Sequence, residues 1–238
     1  MARRGTVSKQ EAKDRDTRPI RWRRYPYLFL IVCEDEKTEP YYFGQFIKLF
    51  PEETVFLRTV GTGRSSKGVV EQSVIERAKL LVEANKDVDE VWAVFDKDDA
   101  EKSAGNTLRF SEAFKLAQDE KIKVAYSNEV FELWILLHFV NVSSENPIPR
   151  AEIYTRIETV IKAIPVHNTF VYEHGNVEVV DILVKSGNEQ NAIECATKLF
   201  EEHKAKGHQP IEANPSTTVH ILVKRLRELI EWYSYVPE

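Results

Sequence analysis

Apolar residues follow two rhythms along this chain. Short, nearly continuous apolar runs recur at residues 27–33 (YLFLIVC), 54–60 (TVFLRTV), 90–96 (EVWAVFD) and 123–127 (KVAYS). Such runs suit strands buried on both faces, the condition of a parallel sheet. Between them the apolar positions fall at helical spacing. Thr38 and Pro40 open a first helix whose stripe is Tyr42, Phe43, Phe46, Ile47 and Phe50. A second helix is predicted from Val69 to Asn85, with Val70, Val74, Ala78, Leu81 and Val82 on one face, and a third over 106–120, capped by Asn106. The order β-α-β-α-β-α-β with helix-length crossovers predicts an α/β fold, a parallel sheet flanked by helices.

Beyond residue 128 the pattern turns mainly helical. Residues 129–139 (EVFELWILLHF) are almost all apolar and are expected to be buried. Amphipathic helices are predicted over 150–164, 189–206 and 216–234, the last started by Asn214, Pro215 and Ser216. The expected organisation is a flexible arm over 1–24, an α/β domain over 25–140 and a helical C-terminal region over 141–238 packed on it. Trp232, Tyr233 and Tyr235 end the last helix. Core packing is the preferred role for them, a dimer or partner-docking face the alternative.

With 42% hydrophobic and 11% aromatic residues in 238, the chain can bury a full core. No run approaches the roughly 18–20 apolar residues that cross a bilayer, and the first residues are too polar for a signal peptide, so a soluble cytoplasmic protein is expected. Cys33 and Cys195 both sit in apolar-periodic segments and read as reduced, buried thiols. The net charge of −5 hides an asymmetry: residues 1–24 carry +6 and the remainder −11. That arm either aids solubility or contacts phosphates.

The acidic surplus is concentrated. Glu34, Asp35, Glu36 and Glu39 follow the first predicted strand, and Asp96, Asp98 and Asp99 follow the third. Open parallel sheets bind ligands beyond the carboxyl ends of their strands. Carboxylates facing one another there repel unless a cation neutralises them, and oxygen ligands without a His/Cys set select Mg²⁺ or Mn²⁺. Lys97, inside the Asp-x-Asp, is expected to point away or pair with a neighbour. Glu132, near the end of the fourth strand, needs a partner among so many apolar residues and is placed at the side of the site. His138 reads as a satisfied core histidine. The loop GTGRSSKG (61–68) offers Arg64 and Lys67 as phosphate contacts but does not match G-x-x-x-x-G-K-[ST], so ATP binding is not read from it.

Four ordered blocks, IVCEDEKTEPYYF, VWAVFDKDD, SNEVFELWILLHF and NPSTTVHILV, resemble the RloB-like family of bacterial defence proteins, which contain a TOPRIM domain. The resemblance runs over about residues 25–235. It implies a TOPRIM-like catalytic domain in which Glu34, Asp96 and Asp98 bind divalent metal. It also implies a nuclease acting on DNA or RNA, tRNA included, as effector of an anti-phage system under a partner ATPase of the ABC or AAA type. One or two Mg²⁺ or Mn²⁺ ions are expected. Asp99, Glu36 or Glu39 could hold the second, Glu39 being favoured, while Lys37 could face the phosphate. Asp35 departs from the pattern, standing where TOPRIM proteins usually have glycine. Besides nucleic acid and the ATPase, a homodimer is a candidate partnership, and no membrane association is expected.

Other classes share parts of this pattern. Haloacid-dehalogenase-like phosphatases place Asp-x-Asp after the first core strand, not the third. A receiver-like signalling domain needs a lysine after a fifth strand, which the sequence after Ser127 does not supply. A binding module would use the acids to hold an ion or a basic partner surface without catalysis.

Overall fold

The computed structural model describes residues 25–97 and 104–235. The basic arm, Asp98 and Asp99 lie outside the described residues. Four strands pair in parallel: β1 (Tyr27–Cys33), β2 (Val55–Gly61), β3 (Glu90–Asp96) and β4 (Lys123–Asn128). A two-residue strand, β5 (Ser216–Thr217), joins the β4 edge antiparallel, giving the order β2-β1-β3-β4-β5. The sheet is therefore mixed, and the predicted last helix begins after this strand.

Helix α1 (Thr38–Gly44) carries the chain from β1 to β2, α2 (Ser66–Ala84) from β2 to β3, and α3 (Ala104–Asp119) from β3 to β4. Alternate residues of β1 explain how one apolar run serves both faces. Phe29, Ile31 and Cys33 pack with Tyr42 and Phe43 of α1, while Leu28, Leu30 and Val32 pack with Val69 and Leu80 of α2 and Phe110 of α3. The first crossover thus covers one face and the next two the other. The strand order reverses between β1 and β3, and that topological switch is where such sheets open a crevice.

Five helices follow: α4 (Glu132–Leu137), α5 (Arg150–Lys162), α6 (Glu178–Ser186), α7 (Glu189–Ala205) and α8 (Val219–Ser234). They share one core with the α1 face of the sheet, and Leu133 to Leu137 of α4 are all buried in it. No helix among the described residues is long and apolar enough to cross a membrane.

Local details depart from the predicted pattern. The first helix gives way at Gln45 to a 3-10 turn running to Leu49, which swings Ile47 out to 48% exposure. The buried face of α2 runs through Val69, Val70, Ser73, Glu76 and Leu80, leaving Leu81 and Val82 exposed. Glu76 can lie inward because Arg58 and Lys79 pair with it. Helix α3 starts at Ala104, so Asn106 is not its cap. Cys33 is buried but Cys195 is only partly so, its thiol donating to Asn141 Oδ1 at 2.9 Å. Trp232 and Tyr235 are largely exposed, whereas Tyr233 packs edge-on against Tyr27.

At the strand ends away from the switch, Glu90 ties β3 to β1, β4 and α8. Its carboxylate accepts from Tyr27 Oη (2.6 Å), Arg225 Nε (2.6 Å), Lys123 Nζ (2.8 Å) and Trp92 Nε1 (3.0 Å). Burial opposes ionisation, but these hydrogen bonds outweigh it and hold the carboxyl at about 2. A depressed folded value stabilises the fold above the ordinary glutamate range and ceases to as pH falls toward 2. The stability difference between wild type and Glu90→Gln is therefore expected to be constant above about pH 5 and to shrink as pH falls through the window from about 4.5 to 2, read from urea unfolding at a series of pH values.

Candidate active site

Glu34 is the first residue after β1. Its N–H donates to Val94 O at 2.9 Å, prolonging the β1–β3 ladder and setting its side chain beside the end of β3. Glu34 Oε2 accepts from Asp96 N–H at 3.0 Å, and Asp96 Oδ2 accepts from Phe131 N–H at 2.9 Å. Two acids far apart in sequence thus share one hydrogen-bonded chain at the switch point. It runs on into the segment that leads to α4.

Asp35 has no positive φ, so the turn does not require a glycine here. Its carboxylate accepts from Thr38 N–H, and its own N–H donates to Glu39 Oε2 at 3.1 Å. This reciprocal pair ties down the first turn of α1, as Ser/Thr and Glu do in a capping box. It also draws Glu39 inside, where the residue is 1% exposed and its Oε1 accepts no hydrogen bond among the described residues. Burial first, and then the charges of Glu34, Asp35 and Glu132, push the Glu39 carboxyl well above the ordinary range.

The turn is held by the end of β2 and the two residues that follow it. Thr62 N–H donates to Cys33 O at 3.1 Å and Gly63 N–H to Glu34 O at 2.8 Å. A Cβ at Gly61 would stand 2.6 Å from both Asp35 O and Glu36 Cα, backbone atoms that cannot swing away. Gly61→Ala is expected to cost about 1–3 kcal/mol and to displace the acidic turn, measurable as a lowered urea midpoint.

Glu132 opens α4 with its side chain 4% exposed. Tyr172 Oη donates to Glu132 Oε1, and His174 Nδ1 lies 3.6 Å from the same oxygen. These are the partners that the buried acid needs. Burial first, then the Glu132 charge, push the Tyr172 hydroxyl far up, while the Glu132 contact raises His174 above the usual histidine value. Sequence reasoning misses both Tyr172 and His174, because they lie on an irregular segment between α5 and α6. His138 is a core histidine: its Nδ1 hydrogen-bonds Trp134 O at 2.8 Å, and burial lowers it to about 4. Lys97 is 6% exposed and pairs with Glu129 at 3.5 Å.

The remaining candidates sit farther out. Lys37 is exposed at the start of α1. Arg64 and Lys67 line a cleft of ≈ 610 Å³ between the β2–α2 loop and α3, with Arg109 opposite, and Lys67 pairs with Glu112 at 2.8 Å. Whether the acids suit a divalent cation can be tested on their chemistry. The donors are all carboxylate oxygens, and buried Glu39 Oε1 lacks a hydrogen-bond donor among the described residues, as a hard cation prefers. Among the described residues, however, no three His, Cys, Asp or Glu are arranged to hold a metal ion. Asp98, the third expected ligand, lies outside them, as does Asp99.

A mixed sheet whose four longer strands are parallel, with acids gathered at its switch point, defines an α/β protein with a candidate crevice beyond the ends of β1 and β3. The family model described as RloB-like protein matches residues 29–226, and the chain belongs to that family. No curated protein and no solved structure matches it.

Proposed function

We propose that this chain is a metal-dependent nuclease that hydrolyses phosphodiesters of DNA or RNA. The observation that carries the reading is the pairing of Glu34 with the Asp96 backbone at the switch between β1 and β3. Glu34, Asp96 and Asp98 would hold Mg²⁺ or Mn²⁺, with Glu39 and Asp99 available to a second ion. A divalent ion bound there supplies polarisation of the scissile phosphate and a more acidic attacking water. The protein's own part is to converge the acids. Phe131 N–H orients Asp96, and the Asp35–Glu39 pair holds the turn that presents Glu34. Arg64, on the neighbouring loop, adds positive charge for the phosphate backbone.

Membership of the RloB-like family supports a place in bacterial anti-phage defence, with a partner ATPase controlling the cut. The sequence contains no G-x-x-x-x-G-K-[ST], in keeping with nucleotide-dependent control exercised by another subunit. The test is calorimetric titration with Mg²⁺ and Mn²⁺, alongside incubation with plasmid, single-stranded DNA and total RNA, with and without an ATPase encoded beside the gene. Metal binding together with cleavage of one substrate class is expected. Absence of divalent binding at millimolar concentration would turn the reading toward a binding module with an acidic docking surface.

A further inference from the structure

Carboxylates dominate the crevice, and a carboxylate ionised at neutral pH has no proton to give. Phosphodiester hydrolysis expels a poor leaving group, a sugar oxygen that departs far more readily if protonated. Glu39, whose carboxyl is pushed up, is 1% exposed and closed to a substrate, so a proton donor is the part that the more exposed acids do not supply.

His174 is placed to be that donor. Its Nδ1 faces inward, 3.6 Å from Glu132 Oε1 and 3.5 Å from Tyr154 Oη. Its side chain is 66% exposed, so the Nδ1 edge is engaged while the rest of the ring meets solvent. Glu132 is itself immobilised by burial and by the Tyr172 hydroxyl, and the Tyr172 ring lies against Tyr154 with centroids 4.9 Å apart. A histidine oriented at one nitrogen by a fixed carboxylate, with the other nitrogen outward, is the arrangement that proton-transfer catalysis uses.

The segment also lies against the acidic turn. A Cβ at Gly175 would stand 3.5 Å from Lys37 Cδ, and the Asp35 charge is felt by both Tyr172 and His174. The charged and titratable groups facing His174 are thus Glu132 from α4, Asp35 from the β1–α1 turn, and Arg150 and Tyr154 from α5. The two acids favour the imidazolium, and Arg150 opposes it.

We propose that His174 is a catalytic residue of the nuclease reaction, giving its Nε2 proton to the oxygen that leaves phosphorus, with Glu132 as the positioning residue that holds its Nδ1. This rests on the nuclease reading. The water oxygen bonds to phosphorus and the bond from phosphorus to the leaving oxygen breaks, its electron pair going to that oxygen. The leaving oxygen takes the Nε2 proton. The attacking water releases a proton to solvent, from which the imidazole is recharged.

The test compares two phosphodiesters in the presence of Mn²⁺. Nucleic acid, as plasmid and total RNA, has a leaving group that must be protonated; bis(p-nitrophenyl) phosphate expels a stable phenolate that need not be. His174→Ala is expected to lose about a hundredfold or more on nucleic acid yet stay within about twofold of wild type on the nitrophenyl ester. Glu132→Gln should move the alkaline limb of the pH–rate profile on nucleic acid to lower pH, because the imidazolium loses its neighbouring charge. An equal loss by His174→Ala on both substrates would overturn the proposal while leaving the nuclease reading intact. A wild type that cleaves neither substrate, with and without an ATPase encoded beside the gene, would overturn the nuclease reading, and the proposal with it.

Discussion

Glu34→Gln and Asp96→Asn are each expected to abolish cleavage, by about a thousandfold or more, while folded stability changes by no more than about 1 kcal/mol. The two halves of this expectation come from different atoms. The glutamine of Glu34→Gln keeps an amide oxygen to accept from Asp96 N–H, and the asparagine of Asp96→Asn keeps one for Phe131 N–H, so the hydrogen-bonded chain at the strand ends survives. What disappears is negative charge, on which a hard divalent cation depends. Rates on the responsive substrate, set beside calorimetric Mn²⁺ affinity and urea melts, check both halves. A variant that keeps more than about a tenth of the wild-type rate would remove its carboxylate from the reaction centre, since each tenfold corresponds to only about 1.4 kcal/mol of barrier.

Trp134→Ala is expected to cost about 3–5 kcal/mol, the largest stability loss among single side-chain truncations in this fold. Trp134 is completely buried in the middle of α4, a helix of six residues. Its ring meets His138 edge-on at 4.7 Å and Tyr42 of α1 at 6.5 Å, so it joins the C-terminal helices to the first crossover. A cavity there has walls from several elements and cannot collapse by moving one of them. The loss also reaches the site, because Glu132 lies two residues earlier on the same short helix. Urea unfolding gives the energy directly, and a loss below about 1 kcal/mol would show that the surrounding helices close the gap.

The strands are legible because burial on both faces writes an uninterrupted apolar run. YLFLIVC and EVWAVFD match β1 and β3 residue for residue. Helix faces are less legible. In α2 a buried Glu76 satisfied by Arg58 and Lys79 takes an inward position, so reading apolar residues alone rotates the helix toward Leu81 and Val82. Ser216–Thr217 looks like a helix start, since nothing local distinguishes a two-residue strand whose partners are Ser127 and Asn128. Helix α6 is absent from the predicted elements, although Val179, Val180, Ile182 and Leu183 are all buried.

The site divides in the same way. Glu34 and Asp96 are visible because acids after apolar runs stand out, and the strand order brings them together. Asp35 reads as a misfit in a glycine position, and its role in fastening α1 depends on a turn geometry that spacing does not reveal. Tyr172 and His174 leave no signal, because their relation to Glu132 is made by an irregular segment some 40 residues away.

The short strand β5 has a consequence for how the chain is made. Ser127 and Thr217 lie hydroxyl to hydroxyl at 3.0 Å, 90 residues apart, and Thr218 N–H donates to Tyr126 O at 2.8 Å. During synthesis β1 to β4 leave the ribosome first, with the outer backbone of β4 bare until those residues follow. A strand edge left open is a template for pairing with another chain, and contacts so distant in sequence form late. The half of the molecule that carries Glu34 and Asp96 therefore does not finish folding until β5 is in hand, which ties completion of the acidic crevice to the arrival of a segment some 90 residues beyond β4.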